Sequence, residues 1–175
     1  MTDSYLNRLP EIKAMVFDID GVFTDGTVTV TNDGKLTRTL YARDGYAIQL
    51  ATNKGFIIGV ITGGRSESVK ERLLDLGIQE VYLGARDKWQ IMQEFLNKYN
   101  VSASQTLYMG DDLPDLEVMN NVSIATCPND AAYEILEIAH YISHRNGGKG
   151  CVRDIVEKVL RAQNQWMVSE SDYKW

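Results

Sequence analysis

With 175 residues, 44% of them hydrophobic and 24% charged, the chain can bury one sizeable core as a soluble globular protein. A net charge of −6 argues against nucleic acid or an anionic membrane as the main partner, and no apolar run is long enough to span a bilayer. An anionic substrate would therefore need locally clustered basic residues. The first ten residues are polar and lack a signal peptide's apolar centre. Cys127 and Cys151 have no metal-type spacing, so both are expected as reduced, packed thiols in a cytoplasmic protein.

Met15, Val16 and Phe17 read as the end of a buried strand, which breaks into Asp18, Ile19, Asp20 and Gly21. On an extended chain the two carboxylates point the same way, and side by side they are costly unless a cation neutralises them. A solvated acidic turn is the alternative. Val28 to Thr31 and Leu36 to Ala42 flank Asn-Asp-Gly-Lys, a hairpin signal. Asp44 can cap a helix from Gly45 to Asn53. Phe56 to Ile61 is a buried parallel strand ending at Thr62-Gly63-Gly64-Arg65. Ser66 or Ser68 can cap the next helix, whose apolar face holds Val69, Leu73 and Leu76. A short strand at Val81 to Leu83 precedes an amphipathic helix from Lys88 to Tyr99, with Ile91, Phe95 and Leu96 inward. Thr106 to Met109 is a further buried strand, ending at Gly110-Asp111-Asp112-Leu113-Pro114-Asp115. A short helix to Met119, a strand at Val122 to Ala125, a helix from Asp130 to Ile138 and a strand at Tyr141 to Ser143 follow. A loop with Gly147 and Gly148, a helix from Cys151 to Trp166 and a polar tail at 166–175 complete the chain. Strands alternating with helices imply a single α/β domain over 1–175, with a doubly wound, mainly parallel, Rossmann-like sheet and a β-hairpin insertion at 27–42.

Three strand ends thus collect Asp18 and Asp20, Thr62 and Gly63, and Asp111 and Asp112 on one sheet edge, where ligands bind in such folds. Lys88 opens a helix, where a lysine opposes the helix dipole, a placement that makes sense if it faces an anion or the carboxylates. Taken singly, each cluster could be a plain turn or a solvated surface. Occurring together, in this order and at strand ends, they are much harder to dismiss.

The order Asp-x-Asp-Gly-Val-x-Thr-Asp-Gly, Ile-Thr-Gly, Lys, Gly-Asp-Asp-x-x-Asp resembles the haloacid dehalogenase superfamily of phosphotransferases, over Lys13 to about Leu160. Asp20-Gly21-Val22-Phe23-Thr24-Asp25-Gly26, Thr62-Gly63-Gly64-Arg65, Gly110-Asp111-Asp112-Leu113-Pro114-Asp115 and Gly147-Gly148-Lys149-Gly150-Cys151-Val152-Arg153 look like the 3-deoxy-D-manno-octulosonate 8-phosphate phosphatases within it. Pro114 departs from the commoner wording but suits a helix's first turn. The resemblance implies a magnesium-dependent, homotetrameric phosphatase acting on an eight-carbon keto-acid sugar phosphate for lipopolysaccharide synthesis.

On that resemblance Asp18 is the nucleophile and Asp20 the acid that protonates the leaving oxygen and later activates water. Mg²⁺ is held by Asp18, the carbonyl of Asp20 and Asp111, with Asp112 either a ligand or, preferably, an outer acceptor. Thr62, the N–H of Gly63 and Lys88 bind the phosphate oxygens. Arg65 and Arg72, seven apart and so two turns along one helix face, could meet the sugar carboxylate. Neither gap between motifs holds a cap domain, so Gly147 and Gly148 are expected to close a neighbouring subunit's site. A nine-carbon 9-phosphate is the alternative substrate, which an acidic residue in place of Gly64 would favour. A receiver-type signalling domain and a non-catalytic scaffold fit less well, because Asp18 and Asp20 share a strand and the second acidic pair follows Lys88.

Overall fold

The computed structural model describes residues 4–174, so Trp175 at the end of the expected tail and the first three residues lie outside it. In chain order the elements are α1 (Tyr5–Arg8), β1 (Ala14–Phe17), β2 (Thr29–Val30), β3 (Leu36–Thr37), α2 (Ala42–Asn53), β4 (Ile57–Ile61) and α3 (Glu67–Asp75). There follow β5 (Glu80–Tyr82), α4 (Lys88–Tyr99), β6 (Thr106–Met109), α5 (Leu116–Asn121), β7 (Ile124–Cys127), α6 (Tyr133–Ile138), β8 (Tyr141–Ile142) and α7 (Cys151–Ala162).

Six strands form one sheet in the order β5-β4-β1-β6-β7-β8, with every neighbouring pair parallel. The chain winds outward from β1 to β4 and β5, then crosses back to β6, β7 and β8. The strand order therefore reverses at β1, whose neighbours are β4 and β6. Ala-Met-Val-Phe of β1 is buried at every position because both faces are covered. Met15 and Phe17 join a core with Ile48 of α2, Leu73 of α3 and Val156 of α7. Ala14 and Val16 face the opposite layer, where Phe95 of α4, Val118 of α5 and Ile135 of α6 pack. No helix among the described residues is long and apolar enough to cross a membrane.

Several boundaries differ from the sequence-based expectation. Helix α2 begins at Ala42, with Tyr41 in the cap position, so Asp44 lies inside its first turn. The buried Asp44 carboxylate instead accepts from the N–H of Arg153, at 2.7 Å, and so caps α7 across the helix pair. Ser66 stands at the cap of α3 but makes no side-chain cap bond. In α4 it is Met92, with Phe95 and Leu96, that turns fully inward, while Ile91 is only half-buried. Strand β7 starts two residues later than expected, and α6 starts at Tyr133 because Asp130 is engaged elsewhere. The hairpin strands are two residues each, shorter than their β-rich composition suggested.

The loop before α7 is the largest correction. Gly147 and Gly148 do not reach outward; they lie against this chain's own Gly21–Asp25 turn. The N–H of Gly148 donates to the carbonyl of Val22 at 2.9 Å, and that of Gly147 to Asp130 Oδ1 at 2.9 Å. A Cβ on Gly147 would sit 1.9 Å from the carbonyl oxygen of Gly21, so a side chain there must push backbone away from the first motif. Gly147→Ala is accordingly expected to destabilise the protein by about 1–3 kcal/mol. It should also slow turnover of small and large phosphate esters alike. Denaturant midpoints and parallel assays check this; an aryl phosphate spared while a sugar phosphate suffers would restore the covering-loop expectation.

Candidate active site

The carboxyl ends of β1, β4 and β6, three adjacent strands, border a cleft of about 490 Å³. Asp18, Asp20, Thr62, Gly63, Lys88, Asp111 and Asp112 all line it, so seven of the expected residues come together. Asp18 follows the last residue of β1, is 7% exposed, and places Oδ2 2.8 Å from Lys88 Nζ. Its Oδ1 accepts from the N–H of Ile19 at 2.7 Å. Lys88 opens α4, yet Asp87 caps that helix by accepting from Gln90 N–H, which leaves Lys88 free to turn inward.

Lys88 Nζ also lies 2.6 Å from Asp115 Oδ1. The same oxygen accepts from the buried Tyr108 hydroxyl at 2.6 Å, and Oδ2 accepts from the N–H groups of Asp111 and Asp112 at 3.0 and 3.3 Å. Asp115 is thus the fully buried hub that orients the fourth motif. A Cβ on Gly110 would come within 2.4 Å of its Cγ, so this fold-back needs glycine there. The third acid of Gly-Asp-Asp-x-x-Asp signals this role, which a reading confined to Asp111 and Asp112 passes over.

Burial would lower the affinity of Lys88 for its proton, but Asp18 and Asp115 beside it leave the ammonium above its usual range. Burial pushes Asp18 up to about 6; Lys88 opposes this and Asp115 adds to it. Asp111 is pushed up to about 7 by burial and by the charges of Asp18 and Asp115. It forms no ion pair among the described residues. Ligand oxygens of Asp18, Asp111 and Asp115 lie within 4.8 Å of one another. Asp115 has its oxygens committed to Lys88, Tyr108 and backbone, whereas Asp111 feels the charge of Lys88 only at a distance, without an ion pair. A hard divalent cation between Asp18 and Asp111 fits this donor set, since oxygen ligands with uncompensated charge are what it takes. The close approach of Asp111 Oδ2, 1.9 Å from where a Cβ of Gly21 would stand, leaves only glycine at that turn, with φ +82°. Asp112 is exposed and caps the following turn through Leu113 N–H at 2.9 Å, which suits an outer role.

Asp20 departs from the simple picture. Strand β1 stops at Phe17, so the period-two relation does not carry through, and Asp18 and Asp20 take different cations. Arg38, beyond the hairpin, donates through Nε to Asp20 Oδ1 at 2.6 Å and through Nη2 to Oδ2 at 2.9 Å. Thr62 Oγ1 accepts from the N–H of Gly64 at 3.1 Å, and the exposed Arg86 adds a cation to the rim. Arg38 and Arg86 carry no motif and were not anticipated.

Arg65 and Arg72 do not share a helix face. Helix α3 begins at Glu67, so Arg65 lies before it, in a neighbouring groove of about 440 Å³ with Lys35, Arg38 and Ser68. Arg72 is exposed outside the cleft, its Nη2 3.9 Å from the Cβ position of Gly45 in α2.

Residues 75–155 match the haloacid dehalogenase-like hydrolase family. A 3-deoxy-D-manno-octulosonate 8-phosphate phosphatase of Yersinia pestis is 33% identical over 94% of this chain and 88% of that protein. The chain belongs to the 3-deoxy-D-manno-octulosonate 8-phosphate phosphatase family. The Escherichia coli K12 member is 32% identical over 90% of this chain and 84% of that protein. The crystal structure of the Moraxella catarrhalis family member, in complex with magnesium, phosphate and KDO, superposes with a TM-score of 0.90 at 30% identity, covering 94% of each chain. Family membership and the capless α/β sheet agree.

The raised carboxylates make stability pH-dependent. Above the ordinary aspartate value of 3.8, the unfolded chain has released protons that native Asp18 and Asp111 still hold, up to about 6 and 7. The native state then binds more protons, so metal-free stability should fall as pH rises through about 4 to 7. Mg²⁺ should restore it, more strongly at the upper end of that window. Urea unfolding in chelator and in magnesium measures this; a midpoint flat in pH and indifferent to magnesium would contradict the site.

Proposed function

We propose that this protein is a magnesium-dependent phosphomonoesterase that dephosphorylates 3-deoxy-D-manno-octulosonate 8-phosphate in the cytoplasm, in lipopolysaccharide precursor synthesis. The observation that carries the reading is Asp18 at the end of the central strand, held by Lys88 and set beside Asp111, which has no ion pair among the described residues. Asp18, the carbonyl of Asp20 and Asp111 would hold Mg²⁺, which when bound neutralises phosphate charge and aligns it with Asp18.

An oxygen of Asp18 attacks phosphorus while the bond to the sugar oxygen breaks, leaving an aspartyl-phosphate. Lys88 keeps the Asp18 carboxylate charged and aimed, and with Thr62 and the N–H of Gly63 it meets the charge spreading over the phosphoryl oxygens. Asp20 gives its proton to the departing sugar oxygen. It then takes a proton from the water that attacks phosphorus and returns Asp18 to its free form. Asp112 orients the metal's surroundings from outside. Arg65, in the groove beside the cleft, would meet a substrate carboxylate; Arg72, exposed outside the cleft, takes no part in this reading.

The cleft has no cap: only the hairpin and α2 separate β1 from β4. The hairpin exposes Val28, Val30 and Leu36, an apolar edge of the kind that proteins cover. A homotetramer that pairs these hairpins accounts for both facts.

Asp18→Asn should keep the fold and lose turnover by about four orders of magnitude or more, as removal of other covalent nucleophiles does. Chelator should abolish wild-type activity. The eight-carbon 8-phosphate should be preferred over a nine-carbon 9-phosphate. Phosphate release across a sugar-phosphate panel checks each point; an Asp18→Asn enzyme near wild type would remove the assignment, and a nine-carbon preference would change the substrate.

Light scattering should show four subunits, and Val30→Lys with Leu36→Lys should give smaller species. A wild-type monomer with full activity would exclude the assembly.

A further inference from the structure

Arg38 sits one residue past β3, on the arm joining the hairpin to α2. Its side chain is 6% exposed while that of Asp20 is 33% exposed, so the cation is buried at the edge of the cleft and the carboxylate faces it. The contact is a two-point fork, at 2.6 Å and 2.9 Å, which fixes both the plane and the rotamer of the carboxylate. Among the described residues no other cation pairs with Asp20; Lys88 is spent on Asp18 and Asp115.

Gly64 borders the pair: a Cβ there would be in ordinary contact with Arg38 Nη2, Asp20 Oδ2 and Thr62 Oγ1, each at 3.4 Å. The fork therefore lies against the Thr62-Gly63-Gly64 turn that borders the cleft. An acidic side chain at position 64 would stand beside Asp20 and compete for the same guanidinium.

We infer that Arg38 is the positioning residue for Asp20, setting the orientation from which it serves the leaving oxygen. This rests on the phosphatase reading above. The consequence is chemical rather than architectural: loss of Arg38 harms esters whose leaving oxygen needs a proton and largely spares those whose leaving group departs unaided. A residue that merely anchored the hairpin would affect both alike.

The experiment compares wild type, Arg38→Ala, Arg38→Lys, Asp20→Asn and the double variant Asp20→Asn/Arg38→Ala, all with magnesium. The substrates are 3-deoxy-D-manno-octulosonate 8-phosphate and 4-nitrophenyl phosphate. Arg38→Ala should lose about tenfold or more in kcat on the sugar phosphate, within the range of general acid catalysis, and a few-fold at most on the aryl phosphate. Added guanidinium should recover part of the loss. Arg38→Lys, which keeps charge but not the fork, should fall between wild type and Arg38→Ala. In the Asp20→Asn background the Arg38→Ala change should cost nothing further. Equal losses on the two substrates, additive losses in the double variant, or a wild-type kcat in Arg38→Lys would overturn the inference. Should Arg38→Ala fail to fold, the substrate split in Arg38→Lys decides. Wild-type hydrolysis of neither substrate would instead sink the phosphatase reading, so the two failures are distinct.

Discussion

The gathering of three carboxylates, two buried and one half-buried, around one ammonium is the constraint on which the site depends. Asp18, Asp111 and Asp115 converge at the end of the central strand, and Lys88 balances two of them. Leaving a buried ion without its partner costs about 3–5 kcal/mol, so removing Lys88 or Asp115 would disturb far more than one contact. Asp115 carries the structural share: it receives Lys88, Tyr108 and two backbone N–H groups, and has little capacity left for a ligand. Asp111 carries the functional share, because its charge is left for something outside the chain. One cluster thus holds a balanced half that stabilises the fold and an unbalanced half suited to a cation.

The backbone bends to let these groups meet. Gly21 and Gly110 are places where a carboxylate occupies the volume of a missing side chain. Gly147 does the same for a carbonyl of the first motif, from a segment over a hundred residues later in the chain. The C-terminal loop is then a support beneath Asp20 to Asp25, held in turn by α7, whose first turn Asp44 caps from α2. Helices on one face of the sheet therefore bear on the loop that carries Asp20, without lining the cleft.

Much of this was legible in the sequence for physical reasons. The apolar runs Ala14 to Phe17 and Thr106 to Met109 are continuous because both sheet faces are covered, and that alone places Asp18 and Asp111 on one edge. A lysine at the first position of a helix, against the dipole, signalled its inward partners. What failed to show was contact between segments distant in sequence without a motif. Arg38 meets Asp20 only because a hairpin of two-residue strands returns it there. The helical spacing of Arg65 and Arg72 misled because α3 starts after Arg65. Three glycines near two cations look the same whether they cover a ligand or pack under a turn; only the 1.9 Å approach to the Gly21 carbonyl distinguishes the two.

The hairpin joins the remaining strands of the reasoning. Its outer face offers Val28, Val30 and Leu36 to whatever covers it, and its return arm delivers Arg38 to Asp20. A two-stranded ribbon with strands this short has little stability alone, so its position must come from contacts at its two ends. One end is the Arg38 fork at the edge of the cleft; the other is the apolar surface. Covering that surface would restrict the arm, and restriction of the arm would hold the fork.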